Sequence, residues 1–285
     1  MEQVRAMIAT ILLFLLLAAA ARVALPVTLR FLREHRMTGR NYAGDEIPVG
    51  SGAVVAITLV LFYTAVSFLS GTGHLGYESV YPFLRGSIPG LLLVYAVGLL
   101  DDCVGERTVK GISGHWKRWR QTGTPSTGII KTAGIILAAL WVAMFSSEFW
   151  AEALFDWITI ALAANALNLL DVRPGRAWKS FYCAAAVIAA ANPAAILYTW
   201  LLPGVAGGTA LLAGDLRGKH MLGDSGANVL GFMLGCSLVY AAPFWLQAVA
   251  FALLAAMHRT AERSSISAWI ERHKWVQWLD RFGRV

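Results

Sequence analysis

The sequence predicts an all-α membrane protein, a polytopic helical bundle, and three observations carry that prediction. Hydrophobic residues fill 57% of its 285 positions and charged residues only 14%, with a mean hydropathy of +0.58. Such values lie outside those of an ordinary soluble domain. Apolar runs recur along the chain at close to the about 17–25 residues that cross a bilayer. The basic residues, finally, gather in alternate loops, as they do where one side of a membrane protein faces the cytoplasm.

In order, the runs occupy 4–30, 50–70, 87–100, 128–146, 153–170, 177–192, 194–213, 226–242 and 244–258. About nine transmembrane helices follow. The first run reads as an uncleaved anchor rather than a signal peptide, because Glu2 and Arg5 precede it and its basic residues come after the apolar stretch. With residues 33–49 cytoplasmic, Arg33, Arg36, Arg40, Arg107, Lys110, Lys117, Arg118, Arg120, Arg173, Arg176, Lys179, Arg217 and Lys219 all lie inside. Arg5 and Arg85 alone stay outside. The expectation is a multi-pass protein of the cell membrane with its N-terminus outside and its C-terminus in the cytoplasm.

Residues 1–258 make one bundle, since no polar stretch is long enough to bury a second core. In the cytoplasmic tail, 259–285, Ile266, Trp269, Ile270, Val276, Leu279 and Phe282 fall on one helical stripe flanked by Trp275 and Trp278. That pattern predicts an amphipathic helix lying on the inner leaflet. The net charge of +7 is spread over inner loops. It fits attraction to anionic lipid or polyphosphate and gives no reason to expect nucleic acid. Cys103, Cys183 and Cys236 show no metal-ligand spacing, and His35, His74, His115, His220 and His273 are scattered, with only His220 close to an acidic motif.

Three motifs hold the chemistry, and all sit at span ends on the predicted cytoplasmic side. Asp101 and Asp102 close the third span as a pair of hard oxygen donors, suited to Mg²⁺ bound together with substrate phosphates. Asn165, Asn168 and Asp171 follow at i, i+3, i+6 near one face of the fifth helix, able to bind a metal or a base, or equally to cap the helix. Gly223, Ser225 and Gly226 surround Asp224 before the eighth span, where a glycine turn feeding a helix N-terminus favours phosphate. Carboxylates near lipid are costly, so their recurrence on one side marks a polar site at the membrane surface.

In this order the motifs resemble those of the polyprenyl-phosphate N-acetylhexosamine-1-phosphate transferases, the family that includes the phospho-muramoyl-pentapeptide translocase. The likeness runs from about the second span to the ninth. It implies transfer of a sugar-1-phosphate from a UDP-sugar to a polyprenyl phosphate such as undecaprenyl phosphate, with Mg²⁺ as cofactor. On that resemblance Asp101, Asp102 and Asp171 serve the phosphate chemistry, and Asn168 and Asp224 hold the metal. Lys131 would be a phosphate contact on the same likeness, whereas Asn165, Gly223 and Ser225, and the arginines Arg173 and Arg176, are expected to contact substrate from their own chemistry and position. A homodimer is compatible with the likeness.

The chain also departs from the family. Pro174 stands in Asp171-Val172-Arg173-Pro174-Gly175-Arg176 where the family often has a further carboxylate, and the two arginines make this loop cationic. Of the family's histidine-rich motif only His258 remains, followed by Arg259. Two other functions therefore stay open. One is a protein of the same fold that binds lipid phosphate or nucleotide without turnover. The other is a transporter, against which the crowding of acidic residues at span ends argues.

Overall fold

Apolar runs make helices in this chain because a backbone buried in lipid or protein must satisfy its own hydrogen bonds. The computed structural model describes residues 2–71, 81–105 and 111–284. Its helices are α1 (Glu2–Glu34), α2 (Ala53–Gly71), α3 (Tyr81–Val104), α4 (Gly111–Thr122), α5 (Thr127–Ser146), α6 (Trp150–Leu170) and α7 (Arg176–Ala191). They continue with α8 (Ala195–Tyr198), α9 (Leu201–Leu216), α10 (Gly223–Ala241), α11 (Phe244–Arg263), α12 (Ile266–Arg272) and α13 (Lys274–Arg281). Between α1 and α2 a hairpin pairs β1 (Thr38–Arg40) antiparallel with β2 (Glu46–Pro48), Gly39 opposite Ile47.

Among the described residues, α2, α3, α5, α6 and the Met7–Glu34 part of α1 are long and apolar enough to cross a membrane. The later apolar runs also became helices but fall short of that measure, for separate reasons. Helices α7 and α9 have 16 residues each. At about 1.5 Å per residue they rise roughly 24 Å, less than a hydrocarbon core. The run 194–213 is interrupted, the chain turning at Thr199 and Trp200 between α8 and α9. Helix α10 carries Asp224, Asn228 and several glycines, and it is buried almost throughout from Gly223 to Leu238. A helix walled in by other helices has no need of a lipid-like surface.

Helix α10 is the centre of the bundle. It lies against α6 over its length and against α3 on another side, while α3 and α5 pack together beyond. Gly231 and Gly235 meet Ala163, Ala164 and Ile160, so α6 and α10 run antiparallel with their polar ends level. The core is completed by fully buried Trp178, Phe181, Phe62 and Trp200, the last two edge to face at 5.7 Å.

The turn after β2 fixes where α10 begins. Met221 N–H donates to Pro48 O (2.9 Å), the N–H groups of Gly50 and Ser51 donate to Met221 O, and Gly52 N–H donates to Leu222 O (3.1 Å). Gly52 and Gly226 then face each other so closely that a Cβ on either would strike the other's backbone.

Two elements differ from expectation. The polar stretch after α3 contains α4, and its Arg107 and Lys110 fall outside the described residues. The tail is two short helices broken at His273, not one, so the stripe predicted from Ile266 to Phe282 is divided.

Candidate functional site

Helices α3, α5 and α10 bring charged side chains together at the polar end of the bundle. Lys131 Nζ, on the first turns of α5, donates to Asp101 Oδ2 at 2.5 Å and to Asp224 Oδ2 at 2.7 Å. These side chains are 14%, 12% and 28% exposed respectively, so the group opens to solvent on Asp224's side. Residues 93 and 30 positions from Lys131 in sequence thus share one ammonium.

Asp102 does something different. Its Oδ1 accepts the Asp224 N–H (2.7 Å), and its Oδ2 accepts the Ser225 N–H (3.0 Å) and the Ser225 hydroxyl (2.6 Å). It therefore caps the first turn of α10 from a neighbouring helix, satisfying N–H groups that a helix start leaves open. The predicted phosphate turn is largely engaged in this way: Ser225 is spent on Asp102, and a Cβ at Gly223 would lie 2.6 Å from the Asp102 carboxylate.

Asp171 follows the last turn of α6, near the Gly223 that opens α10. Burial, reinforced by the nearby carboxylates of Asp215, Asp224 and Asp102, pushes its carboxyl well above the usual carboxylate range. The antiparallel register that sets Gly231 against Ala163 also carries Asn168 alongside the first turns of α10. Asn165 turns elsewhere, its Nδ2 donating to His258 Nε2 at 3.0 Å while His258 Nδ1 donates to Leu254 O at 2.8 Å. Both ring nitrogens of His258 are thereby engaged within the protein.

The two arginines of the cationic loop part company. Arg173 lines a cavity of about 490 Å³ together with Arg40, Asn41, Asp171, Asp215 and His220, its guanidinium 6.0 Å from the Tyr42 ring centroid. Arg176, only 5% exposed, forks onto Asp280, Nε to Oδ1 at 2.7 Å and Nη2 to Oδ2 at 3.0 Å, and Nη1 donates to Ser267 Oγ at 3.0 Å. Its guanidinium is thereby committed to the tail and not turned toward Asp224. Although burial opposes it, Arg176 and Arg284 hold the Asp280 carboxyl below its usual range. Gly175 makes this possible by adopting φ +72° in the turn into α7, with its N–H donated to Asp215 Oδ2 at 3.0 Å.

Sequence reasoning missed Asp215, Asp280, Ser267 and Ser51. Asp215, Asp280 and Ser267 belong to no spaced motif and Ser51 reads only as a small residue in the Pro48-Val49-Gly50-Ser51-Gly52 entrance to the second span, so each finds its partner only through the fold. His220 had a signal, being four residues before Asp224. It is buried with Nδ1 against Ser51 Oγ (3.1 Å), and burial, with Arg33 adding to it, lowers its pKa to about 4.

As for a metal, the chemistry of the donor set fits Mg²⁺ in part. Two carboxylates already converge on one positive charge, and Mg²⁺ ordinarily takes only one or two carboxylates and completes its shell with water and substrate phosphates. Asp101 and Asp224 supply such oxygens, with Asn168 level with them along α6. Among the described residues no group of three or more His, Cys, Asp or Glu side chains gathers as a self-sufficient metal site. Compared with known proteins, the chain matches no family model and no curated sequence.

Proposed function

We propose that the protein is an integral membrane transferase that moves a sugar-1-phosphate, from a UDP-N-acetylhexosamine, onto a polyprenyl phosphate and releases UMP. The observation that carries the reading is the Asp101–Lys131–Asp224 cluster, built from three separate helices at the polar end of an apolar bundle. A phosphate at the head of a membrane lipid and a water-soluble nucleotide can meet only at such a boundary. On this reading α7, the α8–α9 pair, α10 and α11 also cross the plasma membrane, bringing the crossings to about nine, and the polar end faces the cytoplasm. The tail then rests on the inner leaflet.

The lipid phosphate attacks the sugar-linked phosphorus, the bond from that phosphorus to the bridging oxygen breaks, and UMP leaves with that oxygen. Phosphoryl transfer of this kind depends on positioning and charge compensation more than on covalent help. Lys131 keeps the two carboxylates together and offers a fixed positive charge beside the incoming phosphates. Asp102 holds the start of α10 in place, which positions Asp224. Asp224 and Asn168 would hold Mg²⁺, which when bound neutralises the pyrophosphate. Arg173, in the cavity beside Asp171, is placed to meet an anionic substrate.

One observation favours a second reading, binding without turnover: both oxygens of Asp102 are taken by α10, leaving one fewer carboxylate for chemistry. Purified protein incubated with Mg²⁺, undecaprenyl phosphate and a panel of UDP-sugars separates the two. UMP release with any sugar supports the transferase; lipid-phosphate binding with no UMP from any of them sinks it.

A further inference from the structure

Helix α13 is inside out for a helix on the surface of a soluble protein. Trp275, Trp278, Leu279 and Phe282, at i, i+3, i+4 and i+7, are 83%, 60%, 59% and 66% exposed. They form one apolar stripe that faces away from the protein. The polar contacts lie on the other side. Asp280 pairs with Arg176 and, at 2.6 Å, with Arg284, while Arg284 Nε donates to Pro174 O at 2.8 Å. Lys179 Nζ reaches the carbonyls of Leu279, Asp280 and Phe282, which the end of α13 would otherwise leave open.

Every residue of the body in this clasp lies on Pro174 or the first turn of α7, a few positions after Asp171. The same loop and Ser265 and Ser267 of the tail line the 490 Å³ cavity. Exposed Arg272, Lys274 and Arg281 flank the apolar stripe. Aromatic side chains bordered by cations match an anionic lipid surface in both respects.

We propose that α13 is a membrane-seated strap. Its aromatic stripe and flanking cations lie in an anionic lipid surface, and its inner face, through Asp280 and Arg176, holds the 171–176 loop in the shape that forms the cavity. Asp280 is on this account a positioning residue, acting through Arg176 on Asp171 and Arg173. Because lipid contact and loop order are linked, each stabilises the other. The kinetic part of the test rests on the proposed transferase reading; the structural part does not.

Full-length protein in nanodiscs of phosphatidylcholine, alone or mixed equally with phosphatidylglycerol, provides the test, read by amide hydrogen exchange over 172–178 and 274–284. Anionic lipid should slow exchange in both segments by about tenfold. The triple variant Trp275→Gln, Trp278→Gln, Phe282→Gln should lose that response in both. Asp280→Asn should keep it in 274–284 and lose it in 172–178, with the apparent KM for the UDP-sugar raised about tenfold and that for the lipid phosphate changed less than about twofold. Exchange over 172–178 that ignores lipid in the wild type, or that still responds in Asp280→Asn, overturns the strap. If the triple variant instead turns a dimer into a monomer and anionic lipid has no effect, the stripe belongs to a second copy and the lipid assignment is wrong. Absence of UMP release would sink the proposed reaction alone, since the strap is judged on exchange.

Discussion

Lys131 decides the electrostatics of the cluster, because Asp101 and Asp224 share its ammonium and would otherwise repel each other. Lys131→Met should reduce UMP release at least about a hundredfold, the usual scale for losing one fixed charge at a reacting phosphate; near wild-type turnover would remove it from the site. The two neighbouring aspartates should separate cleanly. Asp102→Ala strips the cap from α10 and should lower stability by about 2 kcal/mol. Asp224→Asn should leave the melting temperature of the purified protein in place while abolishing turnover. His220 adds a pH dependence. Its folded pKa, about 4 through burial, lies below the ordinary histidine value near 6.5. The unfolded chain therefore binds a proton first on acidification, so its contribution is complete above about pH 6.5 and is lost as pH falls toward 4, about 3 kcal/mol in all. A His220→Gln variant should show a flatter melting temperature over that interval, and an equally steep one would point to other groups.

At the level of elements, the long apolar runs were legible because a lipid-facing helix must be apolar on most of its surface, and α1, α2, α3, α5 and α6 follow that rule. The others were legible as helices but not by their surroundings. Helix α10 touches mainly protein, so its sequence reports close packing in its glycines and site chemistry in Asp224 more than membrane depth. The three motifs were read correctly as neighbours in space insofar as Asp101, Asp102, Asp171 and Asp224 surround one helix start. Spacing alone gave no hint that Asp102 would cap α10, or that Arg176 would find Asp280 104 residues away. The helical stripe in the tail was visible too, but the break at His273 and the inward turn of Asp280 come from docking on α7. One packing feature offers a direct test. Gly52 and Gly226 cross with backbone against backbone, where no flexible side chain can yield. Gly52→Ala should cost about 1–3 kcal/mol by overpacking, seen as a lower melting temperature, and should shift the start of α10 enough to reduce turnover as well. An unchanged melting temperature would mean that the turn relaxes freely.

Over the whole molecule, sidedness is the property on which the proposed reaction depends most. The hairpin, the ends of α3, α6, α9 and α11 and the starts of α5, α7 and α10 all lie at one end of the bundle, and the basic residues of the loops and tail gather there. Translocation of such residues is disfavoured, so this end should remain in the cytoplasm, where UDP-sugars are made available. The opposite end carries Ser147, Glu148 and Phe149 between α5 and α6 and has no loop rich in lysine or arginine among the described residues. With Cys103, Cys183 and Cys236 replaced by serine, a cysteine introduced at Glu148 should react with a membrane-impermeant maleimide in intact cells. One introduced at Thr122, the last residue of α4, should react only once the membrane is opened. Reversed labelling would put Asp101, Lys131 and Asp224 on the face away from the nucleotide pool, and no arrangement of side chains within the cluster would then rescue the transferase reading.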